Sequence, residues 1–419
     1  MRDATIRADA ARSRLYHVSH ERAERLGAAC LDGSRPAFWY DAPRAPCTNT
    51  SWLLYLDGGG WCYSESECAS RANGPLGSSK RSRGGHWPYT GVLDRSTRIN
   101  PTFASFHRVI FAYCDGASFT GDLAAPLQTS SGPRLRMRGR ANIDSIVGEL
   151  LEMGLADAEA VLWTGASAGG LGALASAERV RAMLPPSVHT FKVLLMSSWF
   201  LSDVGAPSAC QRTLTPAETM KCRPWHEKMR ALATMHNVSL PAACVAAASR
   251  ADRWRCLLPA ASAPQLRAPL FVINSALDAW QGANVWRRSG RCHHSPRGCN
   301  ASEVAAAAER RNGMLRTFVG EMRASGVLER SGNGAHVVPC AGHVAEVTQS
   351  GAFISFSAAS RTMRDVLGAW WVSPPSAPAA GHVALPCEEL HADSPACESN
   401  CRAAQVRGGS YPECRACVA

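Results

Sequence analysis

The segment Gly165-Ala166-Ser167-Ala168-Gly169 constrains the fold of this chain more than any other feature of the sequence. It lies between a short apolar run, Ala160–Trp163, and a stretch of helical periodicity, Leu171–Met183. A serine flanked by glycines at a strand-to-helix junction is typical of a strained turn that exposes the hydroxyl, because only glycine lets strand and helix pass so closely. The spacing alone could occur by chance in a glycine-rich chain. Its position between a predicted strand and helix makes Ser167 a candidate nucleophile.

Strand-like and helix-like segments alternate along the rest of the chain. This alternation predicts an α/β fold around a mostly parallel central sheet, with helices on both faces and functional groups at the carboxyl ends of the strands. The other predicted strands are Trp52–Leu56, Val109–Tyr113, Val193–Met196 and Leu270–Ile273. The other predicted helices are Ile143–Met153, Trp225–Met235, Glu303–Arg323 and Ser360–Trp370.

Composition divides the chain into four predicted parts. Residues 1–29 are an N-terminal extension, and residues 30–372 are the α/β catalytic domain. Residues 373–386 are a linker, since their Pro/Ala/Ser-rich start cannot bury a core, and residues 387–419 are a cysteine-rich tail. No apolar run approaches the roughly 18–20 residues of a membrane helix, so no membrane span is predicted.

Seventeen cysteines are far more than a cytosolic enzyme usually carries. Three sequons accompany them, which makes Asn49, Asn237 and Asn300 candidate glycosylation sites. Together they indicate a secreted protein of the extracellular space or cell wall. The first residues contain no apolar signal-peptide core, so we expect either a truncated or misplaced start or another route of export.

The chain carries a formal net charge of +11, supplied almost entirely by arginine. The arginines are scattered rather than gathered in a basic run, so nucleic acid is not a predicted partner. An acidic polysaccharide is a partner that this charge would attract, although a merely solvated basic surface explains it equally well.

Gly58-Gly59-Gly60 follows the predicted strand Trp52–Leu56. A phosphate-binding loop would need G-x-G-x-x-G or a Gly-Lys-Ser/Thr ending, and neither is present. A simple turn remains an alternative. A glycine-rich segment after an early strand can also direct backbone N–H groups at a developing negative charge, and the residue after the nucleophile, Ala168, supplies another donor. We therefore predict an oxyanion hole.

A serine nucleophile needs a base and an orienting acid, which follow it in the order acid, then histidine, in this fold. Asp278 lies just after the predicted strand Leu270–Ile273, where the acid belongs. Two later histidines, His336 and His343, are candidates for the base, and spacing alone does not choose between them. The other late histidines lie in the linker or tail, or between Cys292 and Cys299, for which we predict a small disulfide loop.

Six blocks of the sequence resemble those of the pectin acetylesterases of plants and of their animal relative Notum, a carboxylesterase. The blocks occur in the family's order over nearly the whole chain, and they are Cys30–Ser34, Trp52–Cys62, Tyr113–Asp122, Gly165–Leu171, Asp278–Gln281 and Cys340–His343. His86-Trp87-Pro88 is similar to the animal relative rather than the plant enzymes. The chain departs from the plant pattern at Ala166 and Val344, where plant members usually carry cysteines.

The resemblance implies an α/β-hydrolase fold and a Ser-His-Asp triad without a cofactor. In the triad, Ser167 is the nucleophile, His343 the general base and acid, and Asp278 its orienting partner. The implied oxyanion donors are Gly59, Gly60 and Ala168. His336 is then left with a structural role.

The resemblance also implies two disulfides, Cys62–Cys68 and Cys47–Cys114. We further expect Cys340 to pair with a cysteine of the tail and to clamp the His343 loop. The tail spacings Cys397-x3-Cys401 and Cys414-x2-Cys417 would also suit a structural zinc site, but the cysteine-rich context favours disulfides, so no metal is predicted.

The predicted function is that of a secreted serine carboxylesterase that removes O-acetyl groups from an acidic polysaccharide such as pectin. One alternative is a Notum-like deacylase that removes a longer acyl chain from a protein or lipid ester. Another is a binding domain that has kept the fold and lost the chemistry, but such a domain has no need of serine, aspartate, histidine and an oxyanion segment together.

Overall fold

A computed structural model describes residues 13–43, 49–81, 90–130, 132, 134–202, 223–286, 299–340, 342–348, 350–355, 357–358, 361–379 and 383–384. Strands and helices alternate through these residues, as the sequence predicts. All five predicted strands and all five predicted helices are present, with ends that differ by a few residues.

The strands are β1 (Arg14–His17), β2 (Ala37–Asp41), β3 (Ser51–Leu56), β4 (His107–Phe111), β5 (Ala160–Ala166), β6 (Thr190–Met196), β7 (Leu270–Ser275), β8 (Gly334–Val338), β9 (Ser357–Ala358), β10 (Arg361–Thr362) and β11 (Val383–Ala384). Nine of them form one sheet in the order β1-β2-β4-β3-β5-β6-β7-β8-β11, and β9 and β10 pair separately. Strand β3 is parallel to β4 and β5, and β8 is parallel to β7 and β11. Strand β2 is antiparallel to both β1 and β4. The predicted mostly parallel α/β-hydrolase-like fold is confirmed.

The helices are α1 (His20–Leu26), α2 (Glu65–Ala72), α3 (Gly139–Glu152), α4 (Ala168–Met183), α5 (Trp225–Met235), α6 (Ala242–Ala247), α7 (Pro259–Ser262), α8 (Ala279–Asn284), α9 (Ala301–Ala324), α10 (Ala345–Thr348), α11 (Ser350–Ser355) and α12 (Met363–Val372). None of the described helices is both long enough and apolar enough to cross a bilayer.

The chain divides into two compact units. The first consists of Met1–Pro88, Ser105–Leu194 and Gln211–Ala268, and the second of Tyr89–Ala104, Leu195–Cys210 and Pro269–Ala419. Strand β3 lies in the core of the first unit, and its residues from Trp52 to Leu56 are all buried. A parallel strand that is covered on both faces is expected to be a continuous apolar run.

Aromatic side chains pack the second unit. The rings of Phe271, on β7, and Trp370, on α12, lie 5.2 Å apart between centroids. The Trp370 indole N–H also donates to the Gly332 carbonyl oxygen at 2.7 Å. A buried tryptophan usually finds such an acceptor, because its N–H loses water on burial.

Three disulfides join described cysteines, namely Cys30–Cys114, Cys62–Cys68 and Cys244–Cys256. Cys62–Cys68 is as the family resemblance implied. The Cys47–Cys114 pairing was wrong, because the Leu31 N–H donates to the Cys114 carbonyl oxygen at 3.0 Å and brings Cys30, not Cys47, to Cys114.

Two more cysteines, Cys299 and Cys340, are disulfide-bonded. The partners that the sequence predicts for them, Cys292 and a tail cysteine, lie outside the described residues, as do Cys47, His86-Trp87-Pro88 and the alternative zinc ligands. These pairings stay predictions. The four predicted domain boundaries stay predictions too, although β1 and α1 fall within the expected N-terminal extension.

The three sequon asparagines differ in their surroundings. Asn237 and Asn300 are exposed, whereas Asn49 is half-buried and its amide donates to the Ser105 hydroxyl at 2.9 Å. The amide of Asn237 also donates a hydrogen bond, to the Asp122 carbonyl oxygen at 3.1 Å. By exposure, Asn237 and Asn300 are the more accessible candidate sites.

Candidate active site

Ser167 is the single residue between β5 and α4. Its backbone has φ 54° and ψ −127°, a conformation that L residues rarely adopt and that costs of order 1–3 kcal/mol. Its side chain is largely buried, with the residue 6% exposed. A strained serine at a strand-to-helix turn is what the sequence motif predicted.

The glycines on either side of Ser167 are required by close backbone approach. A Cβ on Gly165 would lie 2.4 Å from the Gly169 carbonyl oxygen, and a Cβ on Gly169 would lie 2.1 Å from the Leu56 carbonyl oxygen. Real Cβ atoms essentially never come so close to a backbone oxygen. Helix α4 can therefore start directly against β3 and β5 only because both positions lack a side chain.

The segment Gly58–Gly60 runs beside the serine turn. A Cβ on Gly58 would lie 2.7 Å from the Ala166 carbonyl oxygen and 3.0 Å from the Ser167 Cβ. Within the described part of the chain, the N–H groups of Gly59 and Gly60 donate to no other residue, and neither does that of Ala168 at the start of α4. Three backbone donors next to the serine turn are thus available to a ligand.

Tyr113 helps to hold this segment in place. Its hydroxyl donates to the Gly60 carbonyl oxygen at 2.7 Å and accepts the N–H of Ser118 at 2.9 Å. Burial raises the pKa of Tyr113 further above its ordinary value, so the phenol stays a neutral donor at physiological pH.

Asp115 organises the loop that follows Tyr113. Its buried carboxylate accepts the N–H groups of Ala117, Phe119 and Gly121 at 3.2, 2.9 and 3.1 Å. The Cys62 N–H donates to the carbonyl oxygen of Gly116 at 3.1 Å, which joins this loop to the chain that follows Gly58–Gly60. The spacing of polar and glycine residues in this block thus has a structural reason.

Asp57 directly precedes the glycines and accepts the Gly58 N–H at 2.9 Å. Although part of its surface is accessible, it is densely surrounded by protein. This burial raises the pKa of Asp57 to about 7, against the smaller opposing effect of the Gly58 hydrogen bond. The carboxyl group beside Gly58–Gly60 therefore has a pKa near neutral pH.

In the second unit, His343 meets Asp278. The His343 Nδ1 lies 2.8 Å from the Asp278 Oδ2, and the other oxygen of Asp278 accepts the N–H of Gln281 at 2.8 Å. The aspartate is wholly buried and the histidine side chain is 18% exposed. With its proton on Nδ1, the imidazole presents an unprotonated Nε2, the atom that a general base requires.

The structure distinguishes His343 from His336. His336 lies in β8, is wholly buried, and has its Nε2 3.0 Å from the Arg361 carbonyl oxygen. Burial lowers the pKa of His336 to about 4. His336 is therefore a neutral core histidine, whereas His343 has the carboxylate partner.

Opposing effects set the basicity of His343. Burial lowers its pKa, but the charge of Asp278, the hydrogen bond that His343 donates to Asp278 and the charge of Glu346 together raise it above the ordinary value. A raised pKa means that the nearby carboxylates stabilise the imidazolium ion that forms when the histidine takes a proton.

Glu346 was missed by sequence reasoning. It is 3% exposed, and burial raises its pKa to about 7 although the Ser197 hydroxyl hydrogen-bonds to its charged form. The same Ser197 hydroxyl accepts the N–H of Val344 at 2.9 Å. Both Ser197 and Val344 have positive φ, 47° and 53°. Ser197 thus connects Glu346 to the strained turn that carries His343.

Two aromatic rings flank the histidine. The His343 ring centroid lies 6.4 Å from that of Phe200 and 6.2 Å from that of Trp280. Phe200 and Trp280 meet edge to face at 5.4 Å. These apolar neighbours lower the local dielectric and so strengthen the interaction of His343 with Asp278.

Cys62, Cys68 and His236 bring three ligand-type atoms within 4.8 Å of one another in the first unit. However, the two sulfurs are joined in a disulfide, so neither offers a thiolate to a metal ion. Burial lowers the pKa of His236 to about 4. This cluster is a neutral histidine packed on a disulfide.

A profile of the family described as Pectinacetylesterase matches residues 8–401 of the chain. The chain belongs to the pectinacetylesterase family. The resemblance drawn from the six sequence blocks is confirmed, and with it the class of carboxylic ester hydrolases.

Similarity to individual members of the pectinacetylesterase family is moderate. The chain is 32% identical to pectin acetylesterase 5 of Arabidopsis thaliana over 324 residues, which cover 75% of this chain and 70% of that protein. It is 35% identical to pectin acetylesterase 4 of the same plant over 268 residues, 63% of this chain and 60% of that protein. It is 29% identical to the palmitoleoyl-protein carboxylesterase NOTUM of Mus musculus over 262 residues, 60% of this chain and 48% of that protein.

Proposed function

We propose that the protein is a serine carboxylesterase that removes O-acetyl groups from an acidic polysaccharide such as pectin. The observation that carries this proposal is the strained Ser167 turn lying against Gly58–Gly60. Within that segment, the N–H groups of Gly59 and Gly60 have no partner among the described residues. A structural turn has no use for unpaired backbone donors beside a strained hydroxyl, whereas ester hydrolysis uses both.

In the proposed reaction, the Ser167 hydroxyl oxygen attacks the ester carbonyl carbon while His343 Nε2 takes its proton. The N–H groups of Gly59, Gly60 and Ala168 stabilise the oxyanion. Collapse of the tetrahedral intermediate breaks the bond to the sugar oxygen, which leaves with the proton from His343. Water then attacks the acetyl-enzyme by the same route and releases acetate.

Asp278 supports this cycle by fixing the orientation of His343 and by stabilising the imidazolium. Ser167, Asp278 and His343 each follow a strand of the sheet, β5, β7 and β8 respectively. Functional groups of α/β sheets gather at the carboxyl ends of the strands, which supports the assignment of these three residues to one triad.

The proposed substrate rests on the relatives and on the charge. The Arabidopsis relatives are named pectin acetylesterases, and their alignments reach 35% identity and up to 75% of this chain. The net charge of +11 favours an acidic polymer through long-range attraction. The disulfides support a secreted protein that acts in the extracellular space or cell wall.

The second candidate is removal of a long acyl chain from a protein, because relatives named palmitoleoyl-protein carboxylesterase also align over about 60% of the chain. The two reactions share the triad and differ in the acyl pocket. A binding domain without catalysis would leave the Asp278–His343 pair and the unpaired N–H groups unexplained.

Labelling with a fluorophosphonate tests the nucleophile, since this probe reacts only with an activated serine. We expect labelling at Ser167 in the wild type and none in Ser167→Ala, with similar melting temperatures. A folded wild-type protein that is not labelled would favour the binding domain.

A series of p-nitrophenyl esters tests the acyl preference. We expect kcat/KM to be highest for acetate and to fall as the chain lengthens. Release of acetate from acetylated pectin should weaken as salt is raised, because screening removes long-range attraction. A preference for acyl chains of eight or more carbons would favour the second candidate.

A further inference from the structure

The guanidinium of Arg71, on α2, holds the backbone carbonyls of the oxyanion segment. Its Nη2 donates to the carbonyl oxygens of both Gly59 and Gly60, the latter at 3.2 Å. Its Nε donates to the Leu76 carbonyl oxygen at 3.2 Å, and its Cζ lies 5.4 Å from the centre of the Tyr113 ring. One half-buried side chain thus fixes two successive peptide groups.

Fixing a carbonyl also fixes the N–H of the next residue, because a peptide group is a rigid plane with C=O and N–H on opposite sides. The carbonyl of Gly59 shares its plane with the N–H of Gly60, and the carbonyl of Gly60 shares its plane with the N–H of Trp61. Gly59 and Gly60 have φ values of 152° and 64°. Glycines in such conformations have wide rotational freedom, so these planes need an external restraint to keep one orientation.

Helix α2 is itself anchored to the segment that Arg71 restrains. It carries Cys68, which forms a disulfide with Cys62 six residues earlier. Its N-cap is Ser64, whose hydroxyl accepts the Glu67 N–H at 3.3 Å. The Arg71 carbonyl oxygen is also held, since it accepts the Gly74 N–H at 2.9 Å. Arg71 is therefore held to a rigid support.

We propose that Arg71 is a positioning residue for ester hydrolysis: by binding the Gly59 and Gly60 carbonyls, it keeps the Gly60 N–H directed at the oxyanion. This inference rests on the proposed function. Arg71 contacts the backbone behind the donor and acts through it. Its positive charge makes these hydrogen bonds stronger than neutral ones, and its planar fork reaches several carbonyls at once, which a lysine cannot do.

The test compares Arg71→Lys and Arg71→Gln with a matched control, Arg181→Gln. Arg181 also binds a backbone carbonyl, that of Val188 at 2.8 Å, but lies near the end of α4, away from the oxyanion segment. With p-nitrophenyl acetate, we expect Arg71→Gln to lower kcat by about 10–100-fold with KM within about 3-fold, as for a misplaced oxyanion donor. Arg71→Lys should recover part of the loss, and Arg181→Gln should leave kcat within about 2-fold.

A trifluoromethyl ketone forms a tetrahedral adduct that bears an oxyanion. Its affinity for the folded enzyme reports oxyanion binding and does not change when a variant merely lowers the folding stability. Its affinity should fall in Arg71→Gln by the same factor as kcat/KM. If kcat and the affinity are unchanged while the melting temperature falls, Arg71 is merely structural and the proposal is overturned. It is also overturned if activity falls only on acidic pectin and not on p-nitrophenyl acetate, which would make Arg71 a substrate contact.

Tyr113→Phe provides an independent variant if the Arg71 variants do not fold. It removes the hydroxyl that donates to the Gly60 carbonyl oxygen, so kcat should fall by about 3–10-fold with KM little changed. An unchanged kcat in Tyr113→Phe would contradict the role of the Gly60 carbonyl. Absence of fluorophosphonate labelling in the wild type would instead contradict the proposed function itself.

Discussion

The Nδ1 atom of His343 lies 2.8 Å from the Oδ2 atom of Asp278, although 65 residues separate the two in sequence. The contact arises because β7 and β8 are parallel neighbours and each residue follows one of them. The N–H of Ala276 donates to the Val338 carbonyl oxygen at 2.9 Å, and that of Ala279 to the Gly342 carbonyl oxygen at 3.2 Å. These two hydrogen bonds join the loops that follow the two strands. The positions of Asp278 and His343 are therefore fixed before any substrate binds.

We expect Asp278→Asn to lower kcat by about 10³–10⁴-fold, because an amide favours the wrong histidine tautomer and cannot stabilise the imidazolium. The check is steady-state hydrolysis of p-nitrophenyl acetate. The control is Asp252→Asn, which removes an exposed carboxylate paired with Arg255 and should leave kcat unchanged. A loss below about 10-fold in Asp278→Asn would argue against the proposed triad.

We expect Glu346→Gln to move the acid limb of the kcat/KM–pH profile to lower pH. The charge of Glu346 raises the pKa of His343, so its removal lets the histidine stay unprotonated in more acidic solution. In the wild type, the acid limb of the profile should also extend over a wider pH range than the titration of one group would give. The reason is that Glu346 itself has a pKa of about 7 and interacts with His343.

The control for this pH profile is Glu329→Gln, which neutralises an exposed glutamate of the same unit. Its profile should overlay that of the wild type. A Glu346→Gln profile that does not move, or moves to higher pH, would mean that Glu346 does not act on His343.

We expect the melting temperature to fall as pH rises from about 6 to 8.5, and Asp57→Asn to reduce that fall. Burial raises the pKa of Asp57 from 3.8 to about 7, so the folded state binds a proton that the unfolded state has released. The stability from this proton is complete below pH 3.8 and is lost as pH passes 7. Calorimetry at several pH values measures the melting temperature of the wild type and of Asp57→Asn. The same fall in melting temperature with pH in both proteins would contradict this prediction.

We expect Gly58→Ala to lower activity on p-nitrophenyl acetate by at least about 100-fold, because the new methyl group would press on Ser167 and the Ala166 carbonyl. Overpacking of this kind should also cost about 1–3 kcal/mol of stability. Gly313→Ala, within α9 where nothing lies near the new Cβ, is the control. It should keep activity and gain up to about 1 kcal/mol of stability. Similar behaviour of the two variants would refute the close approach at Gly58.

We expect non-reducing peptide mapping to find Cys30 linked to Cys114, at a Cα–Cα distance of 4.9 Å. Replacing both by serine should lower the free energy of unfolding by about 4 kcal/mol, since the bond closes a separation of 84 residues. A peptide joining Cys47 to Cys114 would restore the pairing implied by family resemblance.

The central strands of the sheet could be predicted from the sequence because their apolar pattern is local. Strands β3, β5 and β7 are buried parallel strands, which read as apolar runs. Strand β8 was missed because Gly334-Ala335-His336 lacks that pattern, and it belongs to the sheet through its pairing with β7 and β11. Strand β1 was missed for a similar reason, since its four residues form a strand only against β2.

The sequence by itself determined the Ser167 turn and the glycines around it, because the constraint is steric and lies within a few neighbouring residues. Through resemblance it also pointed to Asp278 and His343. Spacing left His336 and His343 both open, and the tertiary structure shows that His343 contacts the aspartate. Only the tertiary structure decided that Cys30 reaches Cys114 and that Arg71 binds the carbonyls of Gly59 and Gly60. The reason is physical: burial, pKa and hydrogen-bond partners depend on which distant segments pack together, and no local pattern encodes that.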